Sequence, residues 1–246
     1  MAQHVVPARD ARLGRPLGAR GPVEGVLLLL PGGTPQSLRR ASPLAAAGAL
    51  VLARHVVREA DRCRETLTAH VVHYRYRGWN GQAAHPLADT AWALDEVVRR
   101  YGDVPVCLAG TGLGARAALR AAAHPAVASV VALAPWLPPG DEEPVAQLAD
   151  ARVLLVHGTD DERCAPERSY RFGERARKQG VRVCRFEVHT DGHALRRYRT
   201  EVSALTADFV LGTLCGRDFS RPVRDALAAP LPLGLRMPLA SGYGQP

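Results

Sequence analysis

Lysine is almost missing from this chain. Lys178 is the only one, so the formal charge of +8 is carried by arginine. A basic chain can serve a nucleic-acid partner, but these arginines are scattered, with no long basic run and no aromatic ladder between them. The pattern is a compositional bias towards Arg and Ala, and no nucleic-acid partner is expected. No apolar run approaches the roughly 18 residues that a membrane helix needs, so no membrane partner is expected either. The N-terminus lacks a basic stretch followed by an apolar segment, and the expected location is the cytoplasm. The cysteines, Cys63, Cys107, Cys164, Cys184 and Cys215, are odd in number, and no two have the C-x-x-C spacing of a zinc or redox site. They read as free thiols, Cys107 and Cys184 as small core residues, and no metal or cofactor is called for. There is no internal repeat and no insertion long enough to be a cap domain.

What is present is an alternation of short β-rich runs with helical ones, over 246 residues that are 47% hydrophobic. That alternation predicts a mostly parallel sheet of six or more strands flanked by helices, an α/β fold in one domain. Gly25 to Leu30 is apolar on both faces, as a central parallel strand should be, and Pro31-Gly32-Gly33 ends it. Helices are expected over Pro43 to Arg62, Pro86 to Tyr101, Leu113 to His124 and Pro166 to Gln179, with a last one ending near Leu214. Strands are expected at Leu67 to Tyr76, Val104 to Ala109, Val127 to Leu133 and Val153 to Val156, with Val181 to Val188 as the last. This divides the chain into an N-terminal extension (1–22), the α/β domain (23–214) and a Pro/Gly/Arg-rich tail (215–246) that should be poorly ordered or loosely docked.

In an open parallel sheet, ligands gather at the carboxyl ends of the strands. Every unusual loop of this sequence follows a strand. In order they are Leu30-Pro31-Gly32-Gly33, Arg77-Gly78-Trp79-Asn80-Gly81, Gly110-Thr111-Gly112-Leu113-Gly114-Ala115, His157-Gly158-Thr159-Asp160-Asp161 and Asp191-Gly192-His193. The third also satisfies the G-x-G-x-x-A dinucleotide fingerprint. That motif needs an acidic residue about 20 positions on to hold a ribose, and Val130 to Trp136 contains none. Nicotinamide binding is therefore not expected.

In this order the loops resemble the α/β-hydrolase superfamily, in particular small bacterial esterase-like or dienelactone-hydrolase-like members, over roughly Val23 to Leu214. The resemblance implies a nucleophile elbow at Gly112, an acid at Asp161 (with Asp160 as competitor) and a base at His193 (with His189 as fallback). It also implies an oxyanion hole formed by the N–H of Leu113 and that of Gly33 or Thr34. The departure lies at the elbow. Glycine stands where the G-x-S-x-G serine belongs, and Thr111, one place earlier, points elsewhere. Pro31 also replaces the histidine of the usual oxyanion motif. The expectation is a superfamily protein that acts on a small molecule without a serine nucleophile, through a His193–Asp161 base dyad and the oxyanion loops. The alternative is a catalytically inactive pseudo-hydrolase that binds a ligand or a protein partner. Trp79 and Trp136 follow strand ends and are candidates to line the site, against the plainer reading of packing aromatics.

Overall fold

The computed structural model describes residues 9–140 and 143–245. The chain begins with two short strands, β1 (Arg12–Leu13) and β2 (Leu17–Gly18), then enters the predicted alternation: β3 (Gly25–Leu30), α1 (Pro43–Cys63), β4 (Leu67–His73), α2 (His85–Tyr101), β5 (Val106–Thr111) and α3 (Leu113–Ala121). It continues with β6 (Val127–Leu133), β7 (Arg152–Gly158), α4 (Pro166–Lys178), β8 (Arg182–Val188), α5 (Arg199–Leu214), α6 (Arg221–Ala228) and β9 (Met237–Pro238). The sheet runs β1-β4-β3-β5-β6-β7-β8-β9. From β3 to β9 all pairings are parallel, while β1 and β2 lie antiparallel against β4.

Parallel strands need crossover helices, and these cover both faces. Alternation along each strand sorts side chains between two cores. Val26, Leu28 and Leu30 point to the layer built by α2, α3 and α4, while Leu27 and Leu29 point to the layer of α1, α5 and α6. All six residues of β3 are buried, which explains its unbroken apolar run. From β3 the chain steps out to β4, then returns to the other side of β3 as β5. That reversal makes the carboxyl ends of β3 and β5 the switch point of the sheet, where a crevice forms.

The C-terminal segment departs from expectation. It does not dock loosely: Val223, Ala226 and Leu235 are fully buried, and β9 extends the sheet beyond β8, which is therefore not the last strand. Arginines hold it in place. Arg177 of α4 donates to the carbonyls of Ala226 and Ala229, and buried Arg185 donates to the carbonyl of Leu235 at 2.8 Å. The sequence did carry a local signal, Val223, Ala226 and Leu227 at helical spacing in α6, but its Pro and Gly content hid which core that face would enter. Likewise residues 12–18 of the N-terminal extension add the two antiparallel strands that protect the β4 edge.

Candidate active site

The elbow follows from three glycines. A Cβ on Gly110 would lie 2.4 Å from the backbone of Gly114, and one on Gly114 would lie 2.1 Å from the carbonyl oxygen of Leu30. Only glycine lets β5 turn this sharply into α3 while packing on β3. Between them, Gly112 has φ 55° and ψ −113°, a region that side-chain-bearing residues reach only with strain. Its N–H donates to Leu133 O and its carbonyl accepts from Trp136 N–H, both at 2.9 Å, so the end of β6 grips the turn.

The acid and base loops meet over Gly158. A Cβ there would strike Asp191 O at 2.3 Å, so glycine allows the β7 and β8 loops to touch. Asp160 N–H donates to Asp191 O, and the Asp191 carboxylate accepts from the N–H groups of Gly192, Arg197 and Tyr198. Asp191 thus shapes the loop that carries His193. His193 Nδ1–H donates to Asp161 Oδ2 at 2.9 Å, which leaves Nε2 as the unprotonated, basic nitrogen of the neutral ring. A Cβ placed on Gly112 would lie 3.4 Å from that Nε2. Gly112, Asp161 and His193 are therefore brought together. Asp160 and His189 are exposed, and His193 and Asp161 hold the contact instead.

The Asp161 side chain is completely buried. Oδ1 accepts from the N–H groups of Arg163 and Cys164, both at 2.9 Å, and Oδ2 accepts from His193 and from His157 Nε2–H at 3.1 Å. Burial pushes this carboxyl up, but the four hydrogen bonds outweigh it and hold the group well below the usual carboxylate range. His157 also donates from Nε2 to Cys164 O and contacts Ser169 Oγ through Nδ1. Sequence reasoning quoted His157 only as part of a turn. Its spacing, four residues before Asp161 across a turn, was the available signal.

On the other side of the elbow, Thr34 N–H donates to Arg77 O at 3.0 Å, so of the two residues expected to supply this loop's donor, Thr34 is already engaged. A Cβ on Gly33 would lie 2.1 Å from Arg77 O and 3.3 Å from Leu113 Cδ2, so glycine is what brings the two loops together. The Arg77–Asn80 loop is fastened to the same segment: Gly78 N–H donates to Ser37 O, and Asn80 Oδ1 accepts from Ser37 N–H. The tryptophans belong to packing. Trp79 is 4% exposed, and Trp79 and Trp136 flank the buried Arg116 guanidinium at 4.3 and 5.0 Å from their ring centres. Arg116, one turn into α3, pairs with buried Glu143.

Cys164 Sγ, the Asp161 carboxylate and the His193 ring lie within 4.8 Å of one another. Burial and the nearby Asp161 charge push the thiol up to about 11, so it stays protonated at neutral pH. A metal ion on these three groups would have to replace the His193–Asp161 hydrogen bond and deprotonate that thiol. The geometry suits a base dyad better.

The prolyl oligopeptidase family model matches residues 138–216, less than half of the chain, a stretch that contains Asp161 and His193 but not Gly112. No curated protein matches the sequence. Solved structures do. A protein of unknown function from Agrobacterium tumefaciens, described as an alpha/beta hydrolase, aligns over 84% of this chain and 92% of its own at 16% identity, with a TM-score of 0.65. A hormone-sensitive lipase from a metagenome library aligns over 86% and 87% at 16% identity, TM-score 0.61. A lidless serine hydrolase from Xanthomonas campestris aligns over 89% of both chains at 18% identity, TM-score 0.56.

Proposed function

The chain has the α/β-hydrolase fold, and from that premise we propose that it acts on a small carbonyl compound by general base catalysis, without a covalent intermediate. The observation that carries the proposal is the position of His193: Nδ1 is 2.9 Å from Asp161, and Nε2 is 3.4 Å from where a Cβ of residue 112 would stand. With no side chain at 112, Nε2 faces the substrate directly. It takes a proton from water or from a carbon beside the carbonyl, and Asp161 stabilises the imidazolium that results. Negative charge developing on the substrate oxygen is received by the N–H groups of Leu113 and Gly33. No cofactor enters the scheme. The proposed setting is the cytoplasm, where five free thiols remain reduced.

One observation favours a second reading, a pseudo-hydrolase that binds a ligand or protein. A cavity of about 410 Å³, walled by Leu137, Phe172 and Arg175 among others, is lined by neither Gly112 nor His193. Gly112→Ser separates the two readings. The new Cβ would meet His193 at ordinary contact distance, at a strain cost of about 1–3 kcal/mol. A working dyad and oxyanion loop would give the variant esterase activity on small activated esters and fluorophosphonate labelling at residue 112, neither of which the native chain should show. In the native chain, His193→Ala should lower any turnover by about 10²–10⁴-fold. A folded Gly112→Ser protein with neither activity nor labelling sinks the dyad and leaves the binding role.

A further inference from the structure

A second cavity, of about 480 Å³, lies at the carboxyl end of β4 and collects residues far apart in the chain: Arg9, Asp10, Arg12, Arg40, His73 and Arg75. Its volume is in the range of small-molecule pockets. Its charge is one-sided. Arg75 is matched by the buried carboxylate of Asp89. Among the described residues no ion pair engages Arg9, Arg12 or Arg40, and Asp10 is the one carboxylate on the wall. Arg9 is held in place, its Nη1 donating to Leu38 O at 2.8 Å and its guanidinium lying over the Tyr76 ring. The 21-residue helix α1 also opens on this cavity through Pro43 and Ala46, with no side-chain cap and no acid in its first turn. A helix N-terminus of that kind adds positive potential where the arginines already supply it. Burial and the charge of Arg12 hold His73 below its ordinary pKa, so at neutral pH it contributes hydrogen bonding without charge.

The cavity shares an edge with the dyad. One strand, β3, separates β4 from β5, and neighbouring strands lie about 4.8 Å apart, so the two strand ends are about 10 Å from each other. The segment from Thr34 to Arg39, pinned to Arg77 and Gly78, runs from the Gly33 oxyanion donor to Arg40 on the cavity wall. We propose that this cleft is the anion subsite of the substrate, holding a phosphate or carboxylate through Arg9, Arg12 and Arg40 while the carbonyl lies two to three strand spacings away, about 10–15 Å, at Gly112. The placement of the carbonyl rests on the base chemistry proposed above, whereas the anion site stands on its own geometry.

The test is calorimetric titration of the full chain with inorganic phosphate and, separately, with citrate. Saturable binding of at least one is expected, weakened at least about tenfold by Arg12→Ala/Arg40→Ala. Preference for phosphate assigns a phosphoryl group, and preference for citrate a carboxylate. His193→Ala should bind as the native chain does, and so should Arg58→Ala/Arg62→Ala, which lowers the net charge equally on the exposed side of α1. No saturable binding of either probe, or equal binding by the Arg12/Arg40 double variant, overturns the site. The link to the substrate is read in Gly112→Ser with 4-nitrophenyl acetate and the 4-nitrophenyl half-ester of suberic acid. The anionic ester should be preferred, and the double substitution should reduce that preference about tenfold. An active enzyme without preference overturns the link. An inactive one that still binds the anion through these arginines overturns the base chemistry and leaves the cleft.

Discussion

Gly112 occupies a backbone position that a side chain enters only under strain, and here the strain is absent because the side chain is absent. Asp161 is the converse, a residue whose surroundings are built for its charge. All of its oxygens accept, and an amide in its place would present a donor to another donor. Asp161→Asn should therefore destabilise the fold by about 2–4 kcal/mol at neutral pH, measured by urea denaturation. The pH dependence follows from the direction of the shift. The folded carboxyl is held below its unfolded value, so its contribution is present above about pH 4 and is lost as pH falls towards the depressed folded value. Native and variant stabilities should converge in acid. Parallel curves between pH 7 and pH 3 would show that the charge is not what the four hydrogen bonds stabilise.

At the scale of the element, α3 carries the elbow and is anchored by a buried charge. The Arg116 and Glu143 side chains are 2% and 1% exposed, and Arg120 also approaches Glu143, at 3.3 Å. Removing one member of such a pair leaves the other charged in a dry site. Arg116→Ala should cost about 3–5 kcal/mol, read as a lowered thermal midpoint, whereas Arg116→Met/Glu143→Met should recover most of it. A single variant as stable as the native protein would mean that Arg120 alone satisfies Glu143. Such a result would also leave Trp79 and Trp136 without the charge they sandwich.

For the whole molecule, the question is whether 23–214 folds alone. The C-terminal segment supplies Val223, Ala226 and Leu235 to two different cores, and β9 caps the edge of β8. A chain ending at Cys215 would expose those cores and leave the β8 edge unpaired. It should lose its cooperative thermal transition or precipitate. A truncated protein that melts cooperatively within a few degrees of the full chain would restore the tail to a loosely docked appendage.

How much of this was legible in the sequence depends on the range of the interaction. Strand β3 reads from Gly25 to Leu30 without error because a strand buried on both faces needs no polar alternation and Pro31 stops it. The elbow glycines and the order of the Asp161 and His193 loops read equally well, since turn chemistry is local and chain order survives folding. Within the acid turn, sequence named Asp161 over Asp160, and it is Asp161 that contacts His193. The sequence by itself determined a parallel sheet, its loops at one edge, and the missing side chain at Gly112. Only the tertiary structure decided that His193 Nε2 faces the residue 112 position at contact distance, that Thr34 N–H is bound to Arg77 O, and that Trp79 packs on Arg116. It alone gathered Arg9, Arg12, Arg40 and Arg75 around one cavity and drew the C-terminal segment into the core. The arginines meet only in space, where charge depends on three-dimensional distance, and the apolar period of α6 does not say which core it will enter.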